Sequence, residues 1–136
     1  MVAAVCSWHE HHVAAAAEIN GRLGRRDRLC VPAPALVETY AVLTRLPAPH
    51  RLSAADAWAL IEANFVTHAS VEALSAEAYV DLLRRAPARE VTGGRTYDTV
   101  IGECAREGGA EVLLTFNRRH FDPPPPGVTV LEPSLA

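Results

Sequence analysis

The stretch that decides the fold is residues 95–121, which read RTYDTVIGECAREGGAEVLLTFNRRHF. Asp98 is followed three, four and seven positions later by apolar or small residues: Ile101, Gly102 and Ala105. This is the spacing of one face of an α-helix, so we predict a helix that begins just before Asp98. A carboxylate that leads such a face has to be solvated in a cleft or neutralised by a cation.

The second half of this stretch predicts a helix end, a buried strand and a polar turn. Gly108 and Gly109 stop the helix, and the run Val112–Leu114 is too short and too β-branched at its start to form another one. It is predicted to be a buried parallel strand, with Thr115 and Asn117 directly after it. Because ligands of open α/β sheets bind beyond the carboxyl ends of strands, a functional site is predicted there.

Helical and strand-like segments alternate along the rest of the chain. Short strands are predicted at residues 29–31, 66–68 and 128–131. One helix is predicted to end near residue 24, and another is predicted to begin near residue 33. Two more helices are predicted at residues 53 to about 65 and 75–85. One more helical turn is predicted at Arg118–Phe121, before a rigid proline run at 123–126. We therefore predict one α/β domain over residues 1–136, a sandwich with a small parallel sheet.

Three polar residues each have a simple structural explanation. Glu38 lies in the predicted opening turn of its helix and Asp98 in that of another, where a carboxylate complements the helix dipole. Asn117 can cap the turn that follows it. Together, however, polar groups at strand ends can converge on one cleft, where neighbouring carboxylates attract a divalent cation such as Mg²⁺. From the residues alone both explanations stay open.

The inward face of the Glu38 helix is predicted to hold Leu36, Val37, Tyr40, Ala41, Leu43 and Thr44.

Composition excludes several classes of protein. The formal net charge of −3 argues against a protein that coats nucleic acid non-specifically. No apolar run approaches the roughly 20 residues of a membrane span, and no signal peptide is predicted, so we expect a cytoplasmic protein without a membrane partner. The chain contains no lysine, which excludes a phospho-acceptor receiver domain, and it lacks the glycine patterns of P-loop and dinucleotide sites. Its cysteines are predicted to be buried, reduced thiols: Cys6, Cys30 and Cys104.

Two blocks of the sequence resemble the PIN domain of VapC-type toxins. They are VPAPALVET around Glu38 and YDTVIGECAREGGAEVLLTFNRRHF at residues 97–121, and the second is the more specific. The resemblance covers about residues 2–131. It implies a PIN-like α/β/α sandwich with a small central parallel sheet. It also implies a Mg²⁺- or Mn²⁺-dependent endoribonuclease, the dimeric toxin of a toxin–antitoxin pair, which a cognate antitoxin holds inactive.

The resemblance also implies roles for individual residues. Glu38 and Asp98 match the second and third acidic positions of the family, so both are expected to be catalytic metal ligands. Asn117 stands where a further acid often lies, and Thr115 matches the hydroxyl residue beside that position. Phosphate groups of the RNA substrate are expected to meet two neighbouring cations, Arg118 and Arg119.

The chain departs from the family at its amino end. The first acid of the family lies in an Asp-Thr-Asn or Asp-Thr-Ser block that ends the first strand, and this sequence has no such block. We therefore expect the PIN-like domain to be truncated at its amino terminus, with a start codon upstream or a lost first strand. The alternative to an active ribonuclease is a catalytically impaired PIN-like module that binds antitoxin or dimerises without cutting RNA.

Overall fold

The computed structural model describes residues 1–135 as alternating helices and short strands. The helices are α1 (Val2–Val5), α2 (His12–Gly24), α3 (Ala33–Arg45), α4 (Ala54–Ile61), α5 (Ala76–Arg85) and α6 (Arg95–Glu107). The strands are β1 (Leu29–Pro32), β2 (Ala69–Glu72), β3 (Val112–Leu114) and β4 (Thr129–Leu131). A π-helical turn spans Glu62–Val66, and 3-10 turns span Pro87–Arg89 and Arg118–Phe121. This mixture of helix and strand confirms the predicted α/β class.

The chain divides into two compact units. The first unit is Met1–Val71 together with the carboxyl-terminal residues from Pro133 onward, and the second is Glu72–Glu132. Among residues 1–135, no helix has both the length and the apolar character needed to cross a bilayer.

The first unit has a helical core. Leu43 of α3 and Ile61 of α4 are fully buried there, beside the small side chains of Cys6 and Ala57. β1 pairs with β2 in a two-stranded sheet. The hydroxyl group of Ser53 accepts a hydrogen bond of 3.1 Å from the backbone N–H of the third residue after it, so α4 begins with a side-chain cap.

The buried face of α3 differs from the predicted one. Val37 is 71% exposed, and Tyr40 and Ala41 are also exposed, so their assignment to the inward face was wrong. The buried residues of α3 are Thr39 and Leu43. The Thr39 hydroxyl donates a hydrogen bond of 2.7 Å to the backbone carbonyl four residues earlier, which satisfies this buried polar group. The exposed stripe of α3 is at least as apolar in sequence as the buried one, and only the packing partner selects between them.

The strand predicted at residues 66–68 was wrong in position. The helix predicted to end near residue 65 continues into the π-helical turn, and the strand of this region is β2, which begins at residue 69. Both the backbone N–H and the side-chain hydroxyl of Thr67 donate to the Glu62 carbonyl, at 3.0 and 2.9 Å. These bonds keep the chain helical past the predicted start of the strand.

In the second unit, α6 packs on two apolar clusters at once. Val100 and Cys104 of α6 belong to one cluster with Leu74 and Leu82, whereas Ala105 belongs to the other. The second cluster also contains three side chains from later in the chain: Leu113, Phe121 and Val128. The predicted order of helix, glycine stop and strand is confirmed.

The two strands of the second unit are parallel to each other, in agreement with the predicted parallel sheet. β3 pairs in parallel with β4, and Leu113 lies opposite Val130 in the register. Gly109 has a φ of +71°, the left-handed conformation that glycine adopts readily after a helix end.

The burial of the cysteines agrees in part with the prediction. Cys6 and Cys104 are buried, whereas Cys30 is only half-buried. Burial raises the pKa of the Cys6 thiol above its ordinary value, so this group stays protonated at neutral pH.

The orientation of α3 can be tested with two substitutions on the same helix. Leu43→Ala should lower the free energy of unfolding by about 2–5 kcal/mol, because it empties a fully buried position. Val37→Ala should change it by less than about 0.5 kcal/mol, because this side chain is mostly in solvent. Urea denaturation measures both values. Equal losses in the two variants would contradict the observed orientation.

Candidate functional site

Asp98 lies in the first turn of α6 and is partly exposed, with 25% of its side chain accessible to solvent. Its Oδ2 atom is 3.1 Å from Nδ1 of His120. An ionised carboxylate only accepts hydrogen bonds, so Nδ1 carries the hydrogen and donates it. Across residues 1–135 no protein group hydrogen-bonds to the other oxygen, Oδ1. One carboxylate oxygen is thus held by the protein, and the other remains open.

The 3-10 turn Arg118–Phe121 packs against α6 through apolar side chains. Phe121 is buried in the same cluster as Ala105 of α6. A β-carbon placed at Gly102 would lie 2.9 Å from Cγ of Pro125 and 3.6 Å from Cδ1 of Phe121. A glycine is therefore required at position 102 for the segment after β3 to approach the helix this closely.

A hydrogen bond between Arg95 and Asp122 holds the carboxyl end of the same turn. The guanidinium group of Arg95, the first residue of α6, donates a hydrogen bond of 3.0 Å to the backbone carbonyl of Asp122. Because Asp122 directly follows the 3-10 turn, this bond links the turn to the end of α6 that carries Asp98.

Thr115 and Asn117 follow β3 and are joined to each other. The Thr115 N–H donates to the Leu131 carbonyl at 3.0 Å, which extends the pairing of β3 with β4 by one step. The Thr115 hydroxyl accepts a hydrogen bond of 3.0 Å from the backbone N–H of Asn117. The Asn117 side chain is exposed and makes no capping hydrogen bond, so the prediction that it caps the turn was wrong. Its amide oxygen is consequently open to a ligand.

Glu38 belongs to the first unit, where its side chain is exposed. It is the sixth residue of α3, and the first turn of that helix contains no acidic residue. The predicted dipole role was therefore wrong, because that effect falls off within the first turn. Burial lowers the pKa of the Met1 ammonium group, and attraction to Glu38 acts in the opposite direction. The carboxylate of Glu38 thus lies near the ammonium group of Met1.

The two predicted RNA-contacting cations, Arg118 and Arg119, are exposed on the 3-10 turn. Neither makes an ion pair with any described residue from 1 to 135. Guanidinium groups without an internal carboxylate partner remain able to bind phosphate.

His120 is the residue that the sequence analysis missed. It lies 22 positions after Asp98, so no helical or strand spacing connects the two. The one available signal is its place directly before Phe121, because an apolar residue in a polar turn indicates an anchor that fixes its neighbours.

The side chains available to bind a metal ion are few. Within residues 1–135, no group of three or more His, Cys, Asp or Glu side chains is arranged to hold an ion. Mg²⁺ is commonly held by one or two carboxylates together with water and substrate phosphates. The open Oδ1 of Asp98 is a donor of the kind that such a sparse site uses, and so is the amide oxygen of Asn117. They do not suit a closed cage of protein ligands.

The close approach at Gly102 can be tested against a second helical glycine. Gly102→Ala should lower the free energy of unfolding by about 1–3 kcal/mol, because the new methyl group meets a proline ring. In α2, a β-carbon at Gly21 would only meet the Arg25 guanidinium at 3.7 Å, an ordinary contact. Gly21→Ala should therefore raise the value by about 0.5–1 kcal/mol. If thermal denaturation shows a gain for both variants, the described packing at Gly102 is incorrect.

Comparison with known proteins gives consistent matches. The family model for the PIN domain matches residues 1–123, a range that contains every predicted site residue. Ribonuclease VapC40 of Mycobacterium tuberculosis, in strains CDC 1551 / Oshkosh and ATCC 25618 / H37Rv, is 40% identical over 113 residues. The aligned part is 83% of this chain and 78% of that protein. Ribonuclease VapC27 of strain H37Rv is 39% identical over 111 residues, which cover 82% of this chain and 77% of that protein. A PIN domain has an α/β/α fold, in agreement with the predicted architecture.

Proposed function

We propose that this chain, which belongs to the PIN-domain family, is an endoribonuclease and the toxin of a toxin–antitoxin pair. It hydrolyses phosphodiester bonds of RNA. The observation that carries the proposal is the 40% identity to a protein named ribonuclease over 83% of the chain. The partly exposed Asp98 carboxylate with its open oxygen supports the same activity.

The proposed cofactor is Mg²⁺ or Mn²⁺, and Asp98 and Glu38 are each proposed as a carboxylate ligand on the sequence motif. For Glu38 the proposal rests on the sequence motif and on the lack of a dipole role in α3. For Asp98 it rests on the motif and on the open Oδ1. A bound divalent ion supplies an activated water and neutralises charge on the phosphoryl oxygens.

The neighbouring residues have supporting roles in the proposal. Asn117 offers a neutral amide oxygen, which can bind the ion or one of its waters but cannot neutralise charge. The Thr115 hydroxyl holds the backbone of Asn117 in place. Arg118 and Arg119 bind RNA phosphate, since the planar guanidinium group matches two phosphate oxygens at once.

The proposed protein partners are a cognate antitoxin and a second copy of the chain. The resemblance of the Glu38 and Asp98 blocks to VapC-type toxins supports the pairing with an antitoxin. Val37 and Tyr40 on α3 are exposed apolar side chains of the kind that a protein partner covers.

The second candidate function is a PIN-like module that binds antitoxin or dimerises without cutting RNA. It is favoured by the lack, within the described residues 1–135, of three clustered metal ligands. Incubation of the purified chain with RNA in Mn²⁺ separates the candidates, because only a ribonuclease cuts the RNA.

Asp98 gives the direct test of the proposed chemistry. Asp98→Asn should abolish RNA cleavage in Mn²⁺, because the amide keeps the shape of the side chain but lacks the negative charge that holds the ion. The free energy of unfolding should change by less than about 1 kcal/mol, because the group is partly exposed.

A matched control comes from the last turn of the same helix. Glu107 is exposed and its carboxylate contacts Arg106 at 3.3 Å. Glu107→Gln removes one negative charge from α6 away from the proposed site and should leave cleavage unchanged. If Asp98→Asn still cuts RNA at the wild-type rate, Asp98 is not part of a nuclease centre.

Asn117 allows a test of metal binding without RNA. Asn117→Asp should tighten Mn²⁺ binding by about 1–3 kcal/mol, because it adds a negative charge at partly solvated distance from the ion. Asn117→Ala should change the affinity little but lower the cleavage rate. Calorimetric titration of Mn²⁺ measures the affinities. Equal affinities of the wild type and the Asp variant would remove Asn117 from the site.

A further inference from the structure

We propose that His120 is a positioning residue for Asp98: its Nδ1–H holds one carboxylate oxygen and leaves the other for the metal ion. The inference rests on the proposed metal-dependent ribonuclease function and extends it to a residue outside the acidic motif. His120 contacts the candidate ligand itself, and its proposed role is exerted through that ligand.

The contact between His120 and Asp98 lies within the second unit. Nδ1 of His120 and Oδ2 of Asp98 are 3.1 Å apart. The imidazole is 39% exposed and the carboxylate 25%, so both groups are partly shielded from solvent. A hydrogen bond in this setting competes better with water than one at full exposure. No other described protein group, among residues 1–135, hydrogen-bonds to the Asp98 carboxylate.

The imidazole is held in place by its own turn. The backbone N–H of His120 donates to the Asn117 carbonyl at 2.9 Å, which closes the 3-10 turn. Phe121 then enters the apolar core, and the Asp122 carbonyl accepts the hydrogen bond from Arg95. The backbone of His120 is therefore fixed on both sides, and its ring can restrain Asp98.

Restraint of a metal ligand affects affinity in a predictable way. A carboxylate that rotates freely must lose that freedom when it binds an ion, whereas one that is already held loses less. Removal of an outer hydrogen-bonding partner commonly weakens metal binding by about 10–100-fold. Because the bond between His120 and Asp98 is partly exposed, we expect a loss of about tenfold, the lower end of that range.

The chemistry of position 120 permits a close pair of test variants. In histidine, Nδ1 is bonded to Cγ, and the amide nitrogen of asparagine is bonded to Cγ as well. His120→Asn therefore keeps a donor at the same number of bonds from the backbone. In His120→Gln the donor is one bond further out, close to the place of Nε2. If Nδ1–H positions Asp98, the Asn variant should retain function better than the Gln variant.

The experiment is calorimetric titration of Mn²⁺ into the full 136-residue chain and its variants. We expect about tenfold weaker binding for His120→Ala and His120→Gln, and recovery to within about threefold of wild type for His120→Asn. His68→Ala, which removes an exposed histidine from the first unit, serves as the control and should bind like wild type. Thermal midpoints without metal show whether each variant is folded. The comparison between the Asn and Gln variants holds even if both lose some stability.

A second arm combines His120→Ala with Asp98→Asn. If His120 acts through Asp98, the histidine substitution has no further effect once the carboxylate is gone. An equal loss in both backgrounds would identify His120 as an independent ligand and overturn the inference. Wild-type affinity in His120→Ala, or tighter binding, would also overturn it, although Asp98 would then remain a ligand. If Asp98→Asn binds Mn²⁺ like wild type, or the wild type binds none, the proposed metal site fails and the inference fails with it.

Discussion

The second unit depends on the close contact between α6 and the chain that follows β3. This contact is possible because Gly102 has no side chain where the ring of Pro125 lies. Phe121 is buried beside that point, in one apolar cluster with residues of the helix and of both strands. Burial of an aromatic ring stabilises a small unit by about 1.5–3 kcal/mol. The helix, the parallel pair and the 3-10 turn are thereby joined through one core.

The same apolar contact brings the polar groups Asp98 and His120 close together. Asp98 lies four residues before Gly102 and therefore on the same face of α6, while His120 lies directly before Phe121. When the phenylalanine is buried, the imidazole comes within hydrogen-bonding distance of the carboxylate. A partly buried carboxylate needs such a partner, since loss of hydration without compensation is costly. The core thus supports a charged group that is neither fully solvated nor fully neutralised.

The proposed chemistry relies on polar groups that have no structural role of their own. Glu38 lies beyond the first turn of α3, and the Asn117 side chain does not cap the turn that it precedes. Both side chains are exposed, so neither is required for burial or for helix termination. The proposed function assigns both groups to a sparse set of oxygen donors, in which a divalent ion would need substrate phosphate to complete its shell.

The sequence by itself determined the local structure and the family. The 3- and 4-residue spacing after Asp98, the glycine stop and the short run Val112–Leu114 predicted α6 and β3 correctly, because these signals act over a few residues. Only the tertiary structure decided which stripe of α3 is buried, because the exposed Val37, Tyr40 and Ala41 are at least as apolar as the buried Thr39 and Leu43, and the packing partner selects between them. It also decided the pairing of Asp98 with His120. That contact depends on the packing of a helix against a turn 22 residues later, and no periodicity in the sequence encodes it.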